Sequence, residues 1–272
     1  MILEKGGEYI VMKKRRALTI IALSCMLMGC GRLDKNKEEI QSDTLIANQQ
    51  VDELQVMEEA PKEGNASKDN SIIKAETMVL PTPKTSYVTK TMQERANLGE
   101  GDLTRLAEVL RKAKRGEEIT IGVIGGSITQ GFAASKNENS YAFLAYRWWV
   151  EAFPNTKVNF VNAGIGATNS YYGVHRVEKE LLVNNPDIVI VEFSVNDSDT
   201  SFFKETYEDL IRKILKQESN PAIILLFNTM EDGTSAEASH LHVGFKYEIP
   251  RISYGEAILP EIEAGVFAWA DI

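Results

Sequence analysis

Three short polar segments contain the residue types that could do chemistry. They are residues 125–131 (GGSITQG), 162–168 (NAGIGAT) and 194–197 (SVND). Ser127 in the first segment offers a hydroxyl nucleophile, which could form a covalent acyl intermediate with an ester. The other two segments offer backbone N–H groups and the Asn196 amide, which are donors of the kind that stabilise a developing oxyanion.

Each segment also has an ordinary structural explanation. A serine after two glycines often caps a helix, glycines permit a tight turn between a strand and a helix, and Asn-Asp is a common turn pair. A phosphate-binding loop is a second functional interpretation of the first segment. The chain lacks the Gly-x-x-x-x-Gly-Lys motif, however, and Gly122, Gly125 and Gly126 do not have the Gly-x-Gly-x-x-Gly spacing. A nucleotide-binding fold is therefore the weaker alternative.

Short apolar runs precede all three segments and alternate with stretches of helical periodicity. This pattern predicts βαβ units and a five-stranded parallel sheet with helices on both faces, an α/β fold. The predicted strands are residues 119–124, 157–161, 187–193, 222–227 and 251–253. The predicted helices lie between Asp102 and Gly116 and at residues 140–153, 171–183, 203–217 and 236–247. Trp148 and Trp149, on the second of these helices, are expected to pack in the core.

The three polar segments all follow predicted strands at their carboxyl ends. In parallel α/β sheets the ligand crevice lies at that edge. We therefore expect Ser127, the glycine-bearing segment and Asn196 to converge on one site.

Taken together and in this order, the segments resemble the SGNH (GDSL-like) hydrolase superfamily. Residues 125–129 stand where the family has its Gly-Asp-Ser-Leu block, with Gly126 in place of the Asp. Residues 162–168 resemble its second block, and residues 194–197 its Gly-x-Asn-Asp block, with Ser in the Gly position. The resemblance covers roughly residues 100–272 and implies a three-layer, flavodoxin-like fold with a five-stranded parallel sheet.

The resemblance also implies an activity and roles for individual residues. Ser127 would be the nucleophile and would donate its backbone N–H to the oxyanion. Gly166 would supply a second N–H, although the spacing also permits Ala167 or Gly164, and Asn196 would supply its side-chain amide. The segments at 173–176 (GVHR) and 191–197 (VEFSVND) are similar to a branch of SGNH-type esterases, some of which act on acetylated carbohydrate. No cofactor and no metal are implied.

The catalytic base that the family takes from a late Asp-x-x-His block has no counterpart in this sequence. The three histidines are His175, His240 and His242, and none follows an Asp by three residues. Glu237 and His240 have a similar spacing, but we expect a surface pair on a helix. Asp271 is not expected to be the catalytic Asp. We therefore expect a fragment, truncated at the C-terminus before its base, with little esterase activity. The alternatives are a natural pseudoenzyme and a non-catalytic surface lipoprotein that binds carbohydrate or serves as a scaffold.

The N-terminal region predicts export and lipid anchoring. A basic cluster at 13–16 precedes a short apolar run that ends in Leu-Met-Gly-Cys30, which resembles the lipobox of bacterial lipoproteins. We predict a signal peptide over residues 1–30 with translation starting at Met12, acylation of Cys30, a flexible acidic tether over 31–97 and an esterase domain over 98–272. The protein would be extracytoplasmic and anchored to the bacterial cell membrane. Cys25 would leave with the signal.

The composition agrees with this organisation and excludes other classes. The 272 residues are 43% hydrophobic and 25% charged, with a net charge of −9 and 2 Cys. Such a composition excludes a disordered or disulfide-stapled protein. The acidic balance argues against a nucleic-acid partner, because phosphate neutralisation requires clustered Lys and Arg.

Overall fold

The apolar runs predicted as strands all join one sheet in the computed structural model. Its strands are β1 (Asn97–Gly99), β2 (Ile119–Gly125), β3 (Val158–Gly164), β4 (Ile188–Glu192), β5 (Ala222–Phe227) and β6 (Arg251–Ser253). The spatial order is β1-β6-β5-β4-β2-β3. Strands β2 to β6 are parallel, whereas β1 pairs antiparallel with β6.

The predicted α/β fold is thus confirmed with its five parallel strands, and the sheet has in addition a sixth, antiparallel strand that the sequence pattern did not predict. The sixth strand, β1, has only three residues and pairs through Asn97 with Ile252 and through Gly99 with Arg251. Such a short edge strand carries no apolar run, so its formation depends on β6, which is distant in sequence.

The structure describes residues 88–272 other than Ala133, together with three short backbone segments in the first 87 residues. Those segments, Ile10–Met12, Glu53–Val56 and Glu76–Val79, pair as antiparallel strands in sequence order. The predicted acylation site Cys30, and the remaining residues of the predicted signal peptide and tether up to residue 87, lie outside the described residues.

Helices cover both faces of the sheet. They are α1 (Lys90–Ala96), α2 (Thr104–Lys114), α3 (Ser127–Gln130), α4 (Tyr141–Ala152), α5 (Ser170–Glu180), α6 (Ser201–Leu215), α7 (Glu237–Lys246) and α8 (Tyr254–Glu263). Three 3-10 turns, at Asn137–Asn139, Leu182–Asn184 and Trp269–Asp271, complete the described secondary structure. Among the described residues, no helix combines the length and apolarity needed to cross a membrane.

Alternate strand residues face two separate apolar clusters, which makes the fold three-layered. In β4, Ile188 and Ile190 pack in the cluster beneath α1, α2, α4 and α8, whereas Val189 and Val191 pack in the cluster beneath α5, α6 and α7. This alternation is the two-residue period of a strand buried on both faces. Trp148 and Trp149 lie in the first cluster, as predicted.

Residues assigned from the sequence to the end of the tether contribute to this domain. Helix α1 buries Met92 and Ala96 in the first cluster. Arg95 donates hydrogen bonds to the backbone carbonyls of Glu256 and Ala257 on α8 at 3.0 and 2.9 Å. The ordered domain therefore includes α1 and begins before residue 98.

The register of the central strands aligns the starts of the three polar loops. Gly125 at the end of β2 pairs with Gly164 of β3 on one side and with Glu192 of β4 on the other. The loops after these strands therefore leave the sheet at one level, which confirms the predicted convergence at the carboxyl edge.

Candidate active site

Ser127 is the first residue of the short helix α3, which begins directly after β2. Gly126 stands at the N-cap of the helix (φ −85°, ψ −147°), and Gly131 ends it in the left-handed region at φ +101°. This strand–turn–helix geometry leaves Ser127 half-buried at the surface of the edge. No hydrogen bond to Ser127 Oγ is present within residues 88–272 as far as they are described, so the hydroxyl is open to a substrate and a base.

The third loop brings Asn196 against the loop that carries Ser127. A Cβ atom added at Gly126 would lie 2.1 Å from Asn196 Oδ1, so the amide of Asn196 packs directly against Gly126. The turn is held by the N–H groups of Asn196 and Asp197, which both donate to Phe193 O at 3.0 and 2.9 Å. The structure therefore places Asn196 next to Ser127, as predicted.

The second loop also reaches Ser127. A Cβ atom added at Gly166 would lie 3.9 Å from Ser127 Cβ. The Gly166 N–H, however, donates to Gln130 Oε1 at 2.9 Å, and the Gly164 N–H donates to Asn162 Oδ1 at 2.8 Å. Ala167 has a left-handed backbone at φ +58° and its N–H has no hydrogen-bond partner among the described residues. Gly166 thus lies beside Ser127, with its N–H hydrogen-bonded to Gln130.

Arg176 fastens the first two loops together. Its guanidinium donates to Ala163 O at 2.5 Å and to Gly125 O at 3.0 Å, and it pairs with Glu180 one helical turn later. A planar guanidinium can serve two carbonyls at once, which an ammonium group does less well. In the sequence, Arg176 stands in the segment Gly-Val-His-Arg, whose spacing does not indicate this role.

Beneath the third loop, His240 forms a buried pair with Asp197. His240 Nε2 lies 2.9 Å from Asp197 Oδ2, both side chains are fully buried, and the imidazole stacks on Tyr207 with ring centroids 3.6 Å apart. Burial lowers the pKa of His240 against the opposing effect of Asp197. The predicted surface pair of Glu237 and His240 is therefore wrong, since α7 turns His240 inward and Glu237 accepts a hydrogen bond from Ser253 Oγ instead.

The other two histidines do not act as a base on Ser127 in this structure. His175 is exposed on α5, with its ring 4.9 Å from that of Tyr171, and His242 is exposed on α7. In the part of the chain that the structure describes, no histidine is hydrogen-bonded to the serine hydroxyl. His240 lies next to the third loop, and its Nε2 is hydrogen-bonded to Asp197.

Glu192 is a buried acid that contacts helix α3 and that was not predicted from the sequence. Glu192, the last residue of β4, is fully buried and accepts a hydrogen bond from Thr129 Oγ1 of α3 at 3.3 Å. Thr129 in turn shares a hydrogen bond of 2.7 Å with Tyr141 OH, and Ser194 Oγ lies 3.4 Å from the other carboxyl oxygen. Burial raises the pKa of Glu192 to about 7. In the sequence, Glu192 is the one charged residue among the apolar residues that follow Asp187 in the run Asp-Ile-Val-Ile-Val-Glu-Phe. This position was the signal that could have indicated a buried acid.

The described residues contain no group of three His, Cys, Asp or Glu side chains that could hold a metal ion.

Comparison with known proteins agrees with this geometry. The model of the GDSL-like lipase/acylhydrolase family matches residues 123–246, a range that includes all three loops. The chain is thus similar to this family over residues 123–246.

Solved structures similar to this domain include two of a two-domain esterase active on acetylated mannans. One, co-crystallised with mannopentaose, is 42% identical with a TM-score of 0.65, and covers 66% of this chain and 49% of its own. The second has the same identity and TM-score and covers 66% and 48%. The chain thus spans about half the length of these esterases. Among curated proteins, none matches the chain.

Proposed function

We propose that this GDSL-like domain is a serine esterase of the SGNH type that cleaves small acyl esters, chiefly acetyl groups, on carbohydrate. The observation that carries the proposal is the meeting of Ser127, the Gly166 loop and Asn196 at one edge of the sheet. The substrate class is supported by the 42% identical esterase, whose stated activity is on acetylated mannans.

The proposed reaction proceeds through an acyl-enzyme. Ser127 Oγ forms a bond to the ester carbonyl carbon while its proton passes to a base. The bond from that carbon to the sugar oxygen then breaks, and the sugar oxygen takes up the proton. Water adds to the acyl carbon, acetate leaves, and Ser127 regains its proton. The backbone N–H of Ser127, an N–H of the second loop and the Asn196 amide would stabilise the oxyanion, and the loss of one such donor costs about 10²–10³ in turnover.

The base is the part of this machinery that the described residues do not supply. Because no histidine contacts Ser127 Oγ, we expect the 272-residue chain to hydrolyse esters slowly by itself. Imidazole added to the solution can take the place of the missing base, since Ser127 is only half-buried.

The test measures acetate release from acetylated mannan oligosaccharides by the full chain, with and without imidazole. Ser127→Ala is the matched control and also corrects for hydrolysis by imidazole alone. We expect imidazole-dependent release that exceeds that of Ser127→Ala. Equal rates for the two proteins at every imidazole concentration would remove Ser127 as the nucleophile. Rapid hydrolysis without imidazole, abolished in Ser127→Ala, would refute the missing base.

A second candidate function is carbohydrate binding without catalysis. The same absence of a described base on Ser127 favours it. This alternative predicts binding of mannopentaose together with no Ser127-dependent acetate release at any imidazole concentration, so the experiment above separates the two functions.

We also propose that the protein is extracytoplasmic and anchored to the cell membrane through a lipid on Cys30. Support comes from the basic cluster, the apolar run and the Leu-Met-Gly-Cys sequence that precede the domain. Expression of the full chain in a bacterial host with a clickable fatty acid should label the membrane fraction. Cys30→Ala should lose the label, whereas Cys25→Ala should keep it, and equal labelling of all three proteins would refute the assignment.

A further inference from the structure

Four exposed aromatic side chains form one continuous surface beside the candidate active site. Tyr171, Tyr172 and His175 come from the first half of α5, and Phe202 comes from the start of α6; we call them the aromatic shelf. Tyr171 lies at the centre, with its ring centroid 5.7 Å from Phe202, 5.8 Å from Tyr172 and 4.9 Å from His175. The exposed fractions of Tyr171, Tyr172 and Phe202 are 43%, 56% and 51%.

The shelf adjoins the site because its two helices begin where the second and third loops end. Ser170 N–H, one residue before Tyr171, donates to Asp197 Oδ1 at 2.8 Å. Thr168 O lies 3.3 Å from where a Cβ of Gly126 would be. Tyr171 is three positions after Thr168 in the chain, so their Cα atoms are at most about 11 Å apart. The shelf is therefore within reach of a short oligosaccharide whose ester sits at Ser127.

Folding of the domain does not account for these rings. The inner faces of the two helices already provide the core contacts, with Val177 of α5 and Tyr207, Leu210 and Ile211 of α6 in the second apolar cluster. Large apolar side chains grouped on a surface are unfavourable in water and mark binding sites more often than single exposed residues do.

We propose that the aromatic shelf binds the pyranose rings of the acetylated glycan next to the ester that is cleaved. This inference rests on the proposed function for its substrate class. A pyranose ring has a face of C–H groups that packs on an aromatic ring, and hydroxyl groups at its rim that bond to the polar atoms of tyrosine and histidine. The shelf rings of Tyr171, Tyr172 and Phe202 are uncharged, which suits a neutral hexose chain such as mannan better than an acidic polysaccharide.

The test measures the affinity of the full chain for mannopentaose by calorimetry, in a Ser127→Ala background so that no turnover is involved. We expect Tyr171→Ala and Phe202→Ala each to weaken binding about tenfold, which is ~1.4 kcal/mol. Tyr171→Phe keeps the ring and should keep most of the affinity. Phe245→Ala is the control, because Phe245 is 60% exposed at the end of α7, toward the opposite edge of the sheet, and should not change the affinity.

The outcomes separate this inference from the proposed function. Binding that is unchanged in Tyr171→Ala and Phe202→Ala would overturn the shelf, even if Ser127-dependent acetate release is found. The absence of mannopentaose binding at millimolar concentration would also overturn it. Loss of binding in the shelf variants would support the shelf, even if acetate release is absent. A dimer that the same substitutions convert to monomers, with glycan affinity unchanged, would make the surface an interface between copies and refute the inference.

Discussion

Glu192 offers the sharpest quantitative test of the structure, because a fully buried carboxyl group should make stability depend on pH in a defined direction. Burial raises its pKa from 4.5 to about 7 in the folded protein. The folded state therefore keeps its proton over a pH range in which the unfolded chain releases it. By linkage, the contribution of Glu192 to the free energy of unfolding is greatest below pH 4.5, falls as the pH rises toward 7 and is constant above 7.

The expected size of the effect follows from the two pKa values. The difference between about 7 and 4.5, at about 1.36 kcal/mol per pKa unit, gives about 3 kcal/mol. Glu192→Gln removes the titration but keeps the size of the side chain and an acceptor oxygen for Thr129. The original protein loses this contribution as the pH rises, whereas the variant does not. The free energy of unfolding of the variant minus that of the original protein should therefore increase by about 3 kcal/mol from pH 4 to pH 8.

Urea denaturation at pH 4, 6 and 8, followed by the fluorescence of the buried Trp148 and Trp149, measures this difference. Glu205→Gln, at an exposed position of α6, is the matched control and should follow the pH profile of the original protein. Parallel profiles for Glu192→Gln and the original protein would show that Glu192 is ionised at pH 6 in the folded state, and the argument from burial would fail.

Three further predictions concern the loops. His240→Phe leaves Asp197 Oδ2 without its hydrogen bond in the core and should lower the free energy of unfolding by about 2–3 kcal/mol in urea denaturation; an unchanged midpoint would contradict this. Gln130→Ala frees the Gly166 N–H and should accelerate its amide hydrogen exchange, while neighbouring amides of the sheet keep their rates; unchanged exchange at Gly166 would argue that solvent already replaces Gln130. Asn196→Ala should lower imidazole-dependent acetate release by about 10²–10³ with little change in stability, and retention of full rate would exclude its amide from the oxyanion site.

The sequence was sufficient for those parts of the fold that depend on local pattern. The runs at 119–124 and 222–227 are apolar on both faces, so they could only be central strands, and the rule for parallel sheets then placed Ser127 and Asn196 at one edge. The contact between Asn196 and Gly126 confirms that placement. Helices α2, α4, α5, α6 and α7 followed from their periodicity in the same way, whereas α1, α3 and α8 were not predicted.

The features that were missed depend on pairings between distant residues. The edge strand β1 forms only because β6 is available to it, and its three residues carry no pattern of their own. His240 is polar, and the sequence of α7 alone does not show whether its side chain is buried or exposed. It is buried because Asp197, 43 residues away, provides its hydrogen-bond partner. Gln130 bonds the Gly166 N–H across a loop contact that spacing cannot reveal.

The supports beneath the three loops share one physical design. Each loop is hydrogen-bonded on its protein side to a buried or half-buried polar group. Glu192 accepts a hydrogen bond from Thr129 of α3, and Arg176 donates to backbone carbonyls of the first two loops. His240 is hydrogen-bonded to Asp197 of the third loop. In surroundings of low dielectric such hydrogen bonds are strong and an unpaired partner is costly, so each loop has one favoured position. Donors fixed in this way do not need to reorganise when charge develops on the substrate, which is the condition for oxyanion stabilisation. Because Gln130 binds the Gly166 N–H from the exposed side, it is the support that a substrate can displace without disturbing the core.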